Sequence, residues 1–284
     1  MKAKWKLIIS MATFGTIGLF IKYIPLSSAE VALYRAVIGS LAILLYKFIS
    51  KEKLDFFQIK KDLFLLFLSG VAIGMNWILL FQAYRYTTLS VATLSYYFAP
   101  VIVMILCPLL FREHLTGKQV LCFVMSTFGL ILVIGIGGFG FNRSHLIGIL
   151  FGLSAAAFYA AVIILNKFIK HITGIDRTLI QFIAAIIVLL PYVAVTTGIH
   201  LDGIGYRGAG NLLVVGVIHT GMMYCLYFSS VKELRGQELA ILSYIDPLVA
   251  IIVSVLILGE AISGLQVLGG ILILGFTLYN EVKK

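Results

Sequence analysis

The chain has 284 residues, of which 61% are hydrophobic and only 12% charged, and it carries a net charge of +10. Ordinary globular domains carry about a quarter charged residues, so a soluble domain is excluded and the excess of Lys and Arg needs another explanation. Five scattered histidines and three cysteines lack metal-ligand spacing, so neither a metal nor a cofactor is expected.

In chain order, ten apolar runs have roughly the 17 to 25 residues that a helix needs to cross a bilayer core. They are Lys6–Ile24, Ala29–Ile49, Leu63–Tyr84, Ser90–Phe111, Gln119–Ile136, Ile147–Phe168, Leu179–Thr197, Leu212–Ser230, Glu238–Leu258 and Leu265–Asn280. No run alternates with period two, as a barrel strand would, and open strands cannot satisfy their edges in hydrocarbon. The fold expected is an all-α integral membrane protein with ten transmembrane helices. The first run follows Lys2, Lys4 and Lys6 and precedes Ser27-x-Ala29, the layout of a cleavable signal. It reads instead as an uncleaved helix, since removing it would leave nine. Cys107, Cys122 and Cys225 all fall inside helices, where a thiol acts as a small apolar filler.

The stretch from Ser90 to Val133 recurs as Gln237 to Asn280. Adding 147 carries Tyr97 onto Tyr244, Pro100 onto Pro247, Glu113 onto Glu260 and Gly117 onto Gly264, with nine identities over the 25 positions 97–121. Gly74, Met75 and Leu79 match Gly221, Met222 and Leu226 at the same offset, and Ser10, Ala12 and Phe14 match Ser154, Ala156 and Phe158 at 144. Each copy has five helices. An odd number obliges the second copy to enter the membrane from the other side, the pattern of inverted-repeat carriers. The halves are expected at 1–137 and 146–284, divided at the glycine-rich segment near Gly135–His145. That segment lacks the preceding strand a nucleotide-binding loop requires.

Seventeen of the 22 basic residues fall in the N-terminal segment, the even-numbered loops and the C-terminus; Lys22, Arg85, Arg143 and Arg207 fall in the other loops and Arg35 inside a helix. This bias places both termini in the cytoplasm. The basicity orients the chain, and no nucleic-acid partner is expected.

Asp246 lies near the middle of the ninth run. A carboxylate in hydrocarbon costs about 3 kcal/mol or more unless paired, protonated or wetted. It is the leading candidate to bind a substrate ammonium or to carry a coupling proton, with a structural ion pair as the alternative. Arg35 could clamp a substrate carboxylate through its planar fork, or hydrogen-bond helix carbonyls, or snorkel outward. His219 and Asn76 are candidates for the cavity lining, as are the aromatics Trp77, Tyr97, Tyr224 and Tyr244 together with Tyr96, Tyr159 and Tyr227. Tyr97 and Tyr244, each three residues before a proline, are expected to flank the repeat axis together. Rings beside a carboxylate suit an organic cation or an aromatic amino acid equally. Glu113 and Glu260 read as caps of the helices that follow them, and Glu30 as an acid placed at a helix N-terminus.

Ala83–Tyr86 ahead of the helix with Pro100, then Phe111–Gln119, and in the second copy Pro247, Leu258–Gln266 and Gly269-Gly270, resemble the EamA-type signature of the drug/metabolite transporter superfamily. Leu33-Tyr34-Arg35 matches that family's habit of an arginine in the second helix, whereas Gln181 stands where the second half would repeat it. The resemblance covers essentially the whole chain. It implies two EamA-like repeats and a secondary transporter of small metabolites, commonly amino acids or drugs, in the cytoplasmic membrane of a bacterium. It implies no enzyme. A transporter of organic cations and an uncoupled facilitator are the alternatives. The partners expected are a small-molecule substrate, membrane lipid, a coupling proton or cation, and a second copy of the chain as homodimer.

Overall fold

The computed structural model describes residues 2–21, 23–52, 54, 56–87, 92, 95–134, 143–172, 174–200, 203–258 and 264–281. Ten helical stretches succeed one another, with no strand among the described residues. The first is α1 (Ala3–Gly15) with α2 (Ile17–Ile21); then come α3 (Ser28–Ser50), α4 (Phe56–Tyr86), α5 (Ala99–Phe111), α6 (Gly117–Ile134), α7 (Arg143–Phe168) and α8 (Gly174–Thr196). The eighth runs α9 (Gly205–Val214), a π-helical segment Val215–Met222 and α10 (Met223–Val231). The ninth is α11 (Gly236–Leu242) with α12 (Ile245–Leu258), and the tenth is α13 (Gly264–Glu281). Six stretches are long and apolar enough to cross a membrane by length and composition, namely Ala3–Ile21, Ser28–Ser50, Phe57–Ala83, Leu146–Phe168, Gly174–Thr196 and Gly205–Val231.

Every expected helix is present, but several are not continuous. The first breaks at Thr16, whose N–H and hydroxyl both bond the Thr13 carbonyl. The fourth and ninth turn at Tyr97-Phe98 and Ser243-Tyr244, within one residue of the same place in the repeat. At those turns the hydrogen bonds span only three residues, from Phe98 N–H to Ser95, from Tyr244 N–H to Ile241 and from Asp246 N–H to Ser243. Pro100 and Pro247 then lie in the first turns of α5 and α12, where a missing N–H costs nothing because that group has no helical partner. The expected midpoint of one long helix is thus the N-terminus of a short one, and Asp246 sits there.

Side-chain contacts sort the connections into two ends. Lys4 pairs with Glu238, Lys6 with Glu233, Lys47 with Asp176, Lys167 with Glu113 and His171 with Asp62. These contacts gather the N-terminus and the connections after α3, α5, α7 and α10 at one end. At the opposite end His200 donates its N–H to Glu30 and accepts from the Tyr34 hydroxyl, Ser144 donates to the Tyr86 carbonyl, and Gly208 lies against Pro25. The glycine-rich break and Glu260 lie outside the described residues.

Packing pairs the two halves of the chain. α4 packs on α7 as α10 packs on α1, α4 on α8 as the π-segment packs on α3, and α5 on α7 as α12 packs on α1. α3 meets α8, α5 meets α11 and α6 meets α13. The last of these contacts is backbone-close: a Cβ on Gly129 would come within 2.7 Å of the Gly269 carbonyl oxygen. Small residues allow such approach where lipid offers no hydrophobic drive. Large apolar side chains such as Phe48, Val195 and Leu256 point outward from the bundle and are more than three-quarters exposed.

Candidate functional site

Two opposite charges sit within the bundle. Arg35, on α3, is 6% exposed. Its Nε donates to the Thr220 hydroxyl at 3.0 Å, and its guanidinium lies 4.5 Å from the Trp77 ring centroid and 5.9 Å from that of Tyr224. The π-helical segment sets this up. Its wider turn lets the Thr220 hydroxyl donate to the Val215 carbonyl five residues earlier, at 2.7 Å. The hydroxyl proton is therefore committed, and the oxygen faces Arg35 as an acceptor. Such π-turns recur at functional sites.

Asp246 occupies the first turn of α12, where the helix dipole favours an anion by up to about 1 kcal/mol. The Tyr97 side chain is its hydrogen-bond partner. Gly15 of α1 packs directly on the Asp246 carbonyl, so the kinked first helix closes over this turn. Among the described residues neither Arg35 nor Asp246 makes an ion pair. An isolated buried charge costs several kcal/mol; Arg35 is such a charge, 6% exposed, whereas Asp246 is half-buried.

A continuous set of rings joins them. Trp77 meets Tyr224 edge-on at 6.1 Å, Tyr224 meets Tyr227 at 6.2 Å, and Tyr227 donates its hydroxyl to that of Tyr159 at 3.0 Å. Tyr159 stacks on Tyr96 at 5.6 Å, and Tyr96 meets Tyr97 at 5.7 Å. Arg35 thus stands at one end of a tyrosine-rich wall and Asp246 at the other.

The remaining candidates make contacts between helices. Asn76 donates to the Ala155 carbonyl at 2.7 Å and is 3% exposed, tying α4 to α7. Tyr244 is fully buried with its hydroxyl 2.6 Å from that of Thr127. Tyr97 and Tyr244 do meet in one cluster with Leu130 and Ile273, but their hydroxyls diverge, one to Asp246 and the other to α6. His219 is held by the Thr16 hydroxyl at 3.0 Å and packs against the Phe20 ring; it is the chain neighbour of Thr220, the acceptor of the Arg35 Nε–H. Gln181, at the position equivalent to Arg35, hydrogen-bonds Ser69 and Asn166 between α4, α7 and α8.

Sequence reading missed the buried charges at the N-terminal end. Lys47 and Asp176 lie 2.6 Å apart with side chains 7% and 6% exposed. Arg177, 1% exposed, donates to the carbonyls of Asn166, Ile169, Ile172 and Phe228. Glu113 does not cap the helix that follows it. Its carboxylate instead takes the Lys167 ammonium at 2.8 Å and the Gly236 N–H at 2.9 Å, while Thr116 and Gln119 cap α6. Glu30 does cap its own helix, in a reciprocal box with Ser27. Glu30 was legible because its partner is three residues away; Lys47 and Asp176 pair across 129 positions and Glu113 and Lys167 across 54.

A sequence profile of the EamA-like transporter family matches residues 1–135 and again residues 146–280. The chain belongs to this family. It is therefore a multi-pass membrane transporter. Among curated relatives, the "Uncharacterized transporter YxxF" of Bacillus subtilis (strain 168) is 30% identical over 98% of this chain and 89% of its own length. An uncharacterized transporter of Archaeoglobus fulgidus is 26% identical over 96% of this chain and 93% of its own. Protein PecM of Dickeya dadantii is 23% identical over 72% and 69%. A crystal structure shares the fold with a TM-score of 0.84 over 99% of this chain and 98% of the other, at 17% identity.

Proposed function

We propose that this EamA-family transporter is a secondary carrier of small zwitterionic metabolites, amino acids or close relatives, working by alternating access across the cytoplasmic membrane. The observation that carries the reading is the pair of unneutralised opposite charges at the two ends of one aromatic wall, Arg35 and Asp246. A substrate carboxylate offers Arg35 the bidentate partner its fork is shaped for, and a substrate ammonium offers Asp246 its counter-charge. An organic cation suits the site less well. The faces of Trp77 and Tyr224 already hold a guanidinium, so a second cation there would meet both an occupied ring and a like charge. One carboxylate cannot hold a proton and an ammonium together, so proton and substrate compete at Asp246, which couples the two fluxes.

The two halves are read as inverted repeats. Their principal packing pairs correspond. Moreover, Glu30 at the start of α3 reaches the chain beyond α8, as Asp176 at the start of α8 reaches the end of α3. The end bearing the N-terminus is also the lysine- and arginine-rich one, which supports reading it as cytoplasmic.

The test is counterflow in proteoliposomes with a panel of amino acids, quaternary amines and neutral metabolites. Uptake confined to zwitterions in the wild type, and lost in Arg35→Gln, is expected. Preferential uptake of quaternary amines that persists in Arg35→Gln would overturn the reading in favour of a cation carrier.

A further inference from the structure

Glu113, Lys167 and Gly236 form a three-way junction that the binding site does not use. Lys167, at the end of α7, gives one bond to Glu113, in the connection between α5 and α6, and another to the Leu234 carbonyl, between α10 and α11, both at 2.8 Å. Glu113 in turn accepts the Gly236 N–H at the start of α11. The side chains of the ion pair are 9% and 11% exposed. The junction therefore ties a connection of the first half of the chain to two segments of the second, at the end of the bundle nearest the N-terminus. Immediately inward lies Cys107 of α5. It is fully buried, and its side chain packs so tightly on Gly236 that a Cβ there would collide with it.

We propose that the Glu113–Lys167–Gly236 junction is the closure of the transport pathway on the side of the N-terminus, and that opening it uncovers Cys107. This rests on the carrier reading, since only a pathway that opens alternately needs a releasable closure. An ion pair suits that task better than apolar packing. Once parted and hydrated, both charges recover most of their solvation, so the open state is accessible, whereas an apolar contact would leave exposed hydrophobic surface. The Lys47–Asp176 pair, between α3 and α8, flanks the same end.

The experiment is labelling of Cys107 by a membrane-impermeant maleimide in the full-length protein, with Cys122 and Cys225 replaced by alanine. Labelling is expected to be slow with the junction intact. Glu113→Gln and Lys167→Met each strand one buried charge or remove the pairing, and should speed it roughly tenfold or more. The reversed pair Glu113→Lys with Lys167→Glu should bring the rate back towards that of the starting protein. A parallel protein carrying Cys122 alone, whose thiol lies within α6 away from the junction, controls for unfolding. If Cys122 becomes reactive in Glu113→Gln, the decision passes to Glu113→Asp, which keeps the charge but is too short to reach both partners. A faster rate in that variant supports the closure. Unchanged Cys107 labelling in all variants that keep Cys122 protected would overturn the closure while leaving the carrier reading intact. A labelling response in a protein that takes up no solute would instead remove the carrier reading and leave the junction as a conformational contact.

Discussion

The two halves of the chain share a backbone plan and divide the chemistry. Both break their fourth helix within one residue of the same register, at Tyr97-Phe98 and at Ser243-Tyr244. In the first half the residue beginning the new helix is Ala99; in the second, the equivalent position is Asp246. At the corresponding place in the second helix of each half, Arg35 lies against Trp77 and Tyr224, whereas Gln181 hydrogen-bonds Ser69 and Asn166. Each half contributes one sign of charge. A site built this way can be asymmetric towards a bipolar solute even though its frame repeats.

Removing the charges should break the comparison most strongly. Arg35→Gln is expected to lower uptake kcat/KM about 100-fold, the scale of losing a charge-assisted bidentate pair, and Arg35→Lys should rescue little of it because an ammonium lacks the planar fork. Asp246→Asn should come next, with roughly a tenfold loss of affinity and a flattened pH dependence. The wild type should bind more weakly as pH falls, because protonation neutralises the carboxylate that holds the substrate ammonium, and thermal-shift titration at several pH values checks this. Moving the acid to the other half, Ala99→Asp with Asp246→Ala, should not restore transport, since Arg35 and its ring wall do not move with it.

Smaller substitutions sharpen the contrast between equivalent positions. Tyr97→Phe removes the partner of Asp246 and should shift substrate affinity several-fold with little change in thermal midpoint. Tyr244→Phe deletes the bond to Thr127 and should cost about 1 kcal/mol of stability, read as a lower midpoint, with affinity unchanged. Equal effects of the two on affinity would contradict the division drawn here. Gln181→Leu should act only on stability, by a similar amount, because its amide links Ser69 to Asn166 and touches no ring of the site.

Much of the frame could be read from residue order. The ten apolar runs mark the ten helices because span length is a property of local composition. The breaks were less legible, since hydropathy does not change across Tyr97-Phe98 or Ser243-Tyr244, although Pro100 and Pro247 mark first turns for anyone asking where a proline fits. The π-turn at Val215–Met222 left no compositional trace, yet it aims Thr220. Lys47, Asp176, Lys167 and Arg177 looked like ordinary charges near helix ends. Only the fold brings Lys47 to Asp176, 129 positions away, and a burial that depends on such a distant partner has no local signature.

The contact of Gly129 with the Gly269 carbonyl has a mechanical consequence. α6 and α13 belong to different halves and pack chiefly on each other, meeting the site at the Tyr97–Tyr244 cluster through Leu130, Thr127 and Ile273. Two backbones pressed together there can turn about their contact but cannot slide along it, so the pair is a fulcrum. Each helix has 18 residues and is about 27 Å long, so a rotation of roughly 10° about its middle carries a point at half that length through about 2 Å. A displacement of that size parts a hydrogen-bonded ion pair while barely disturbing the glycine contact. Under the alternating access proposed above, the halves would exchange one set of end contacts for another without unpacking the joint that keeps them a single molecule.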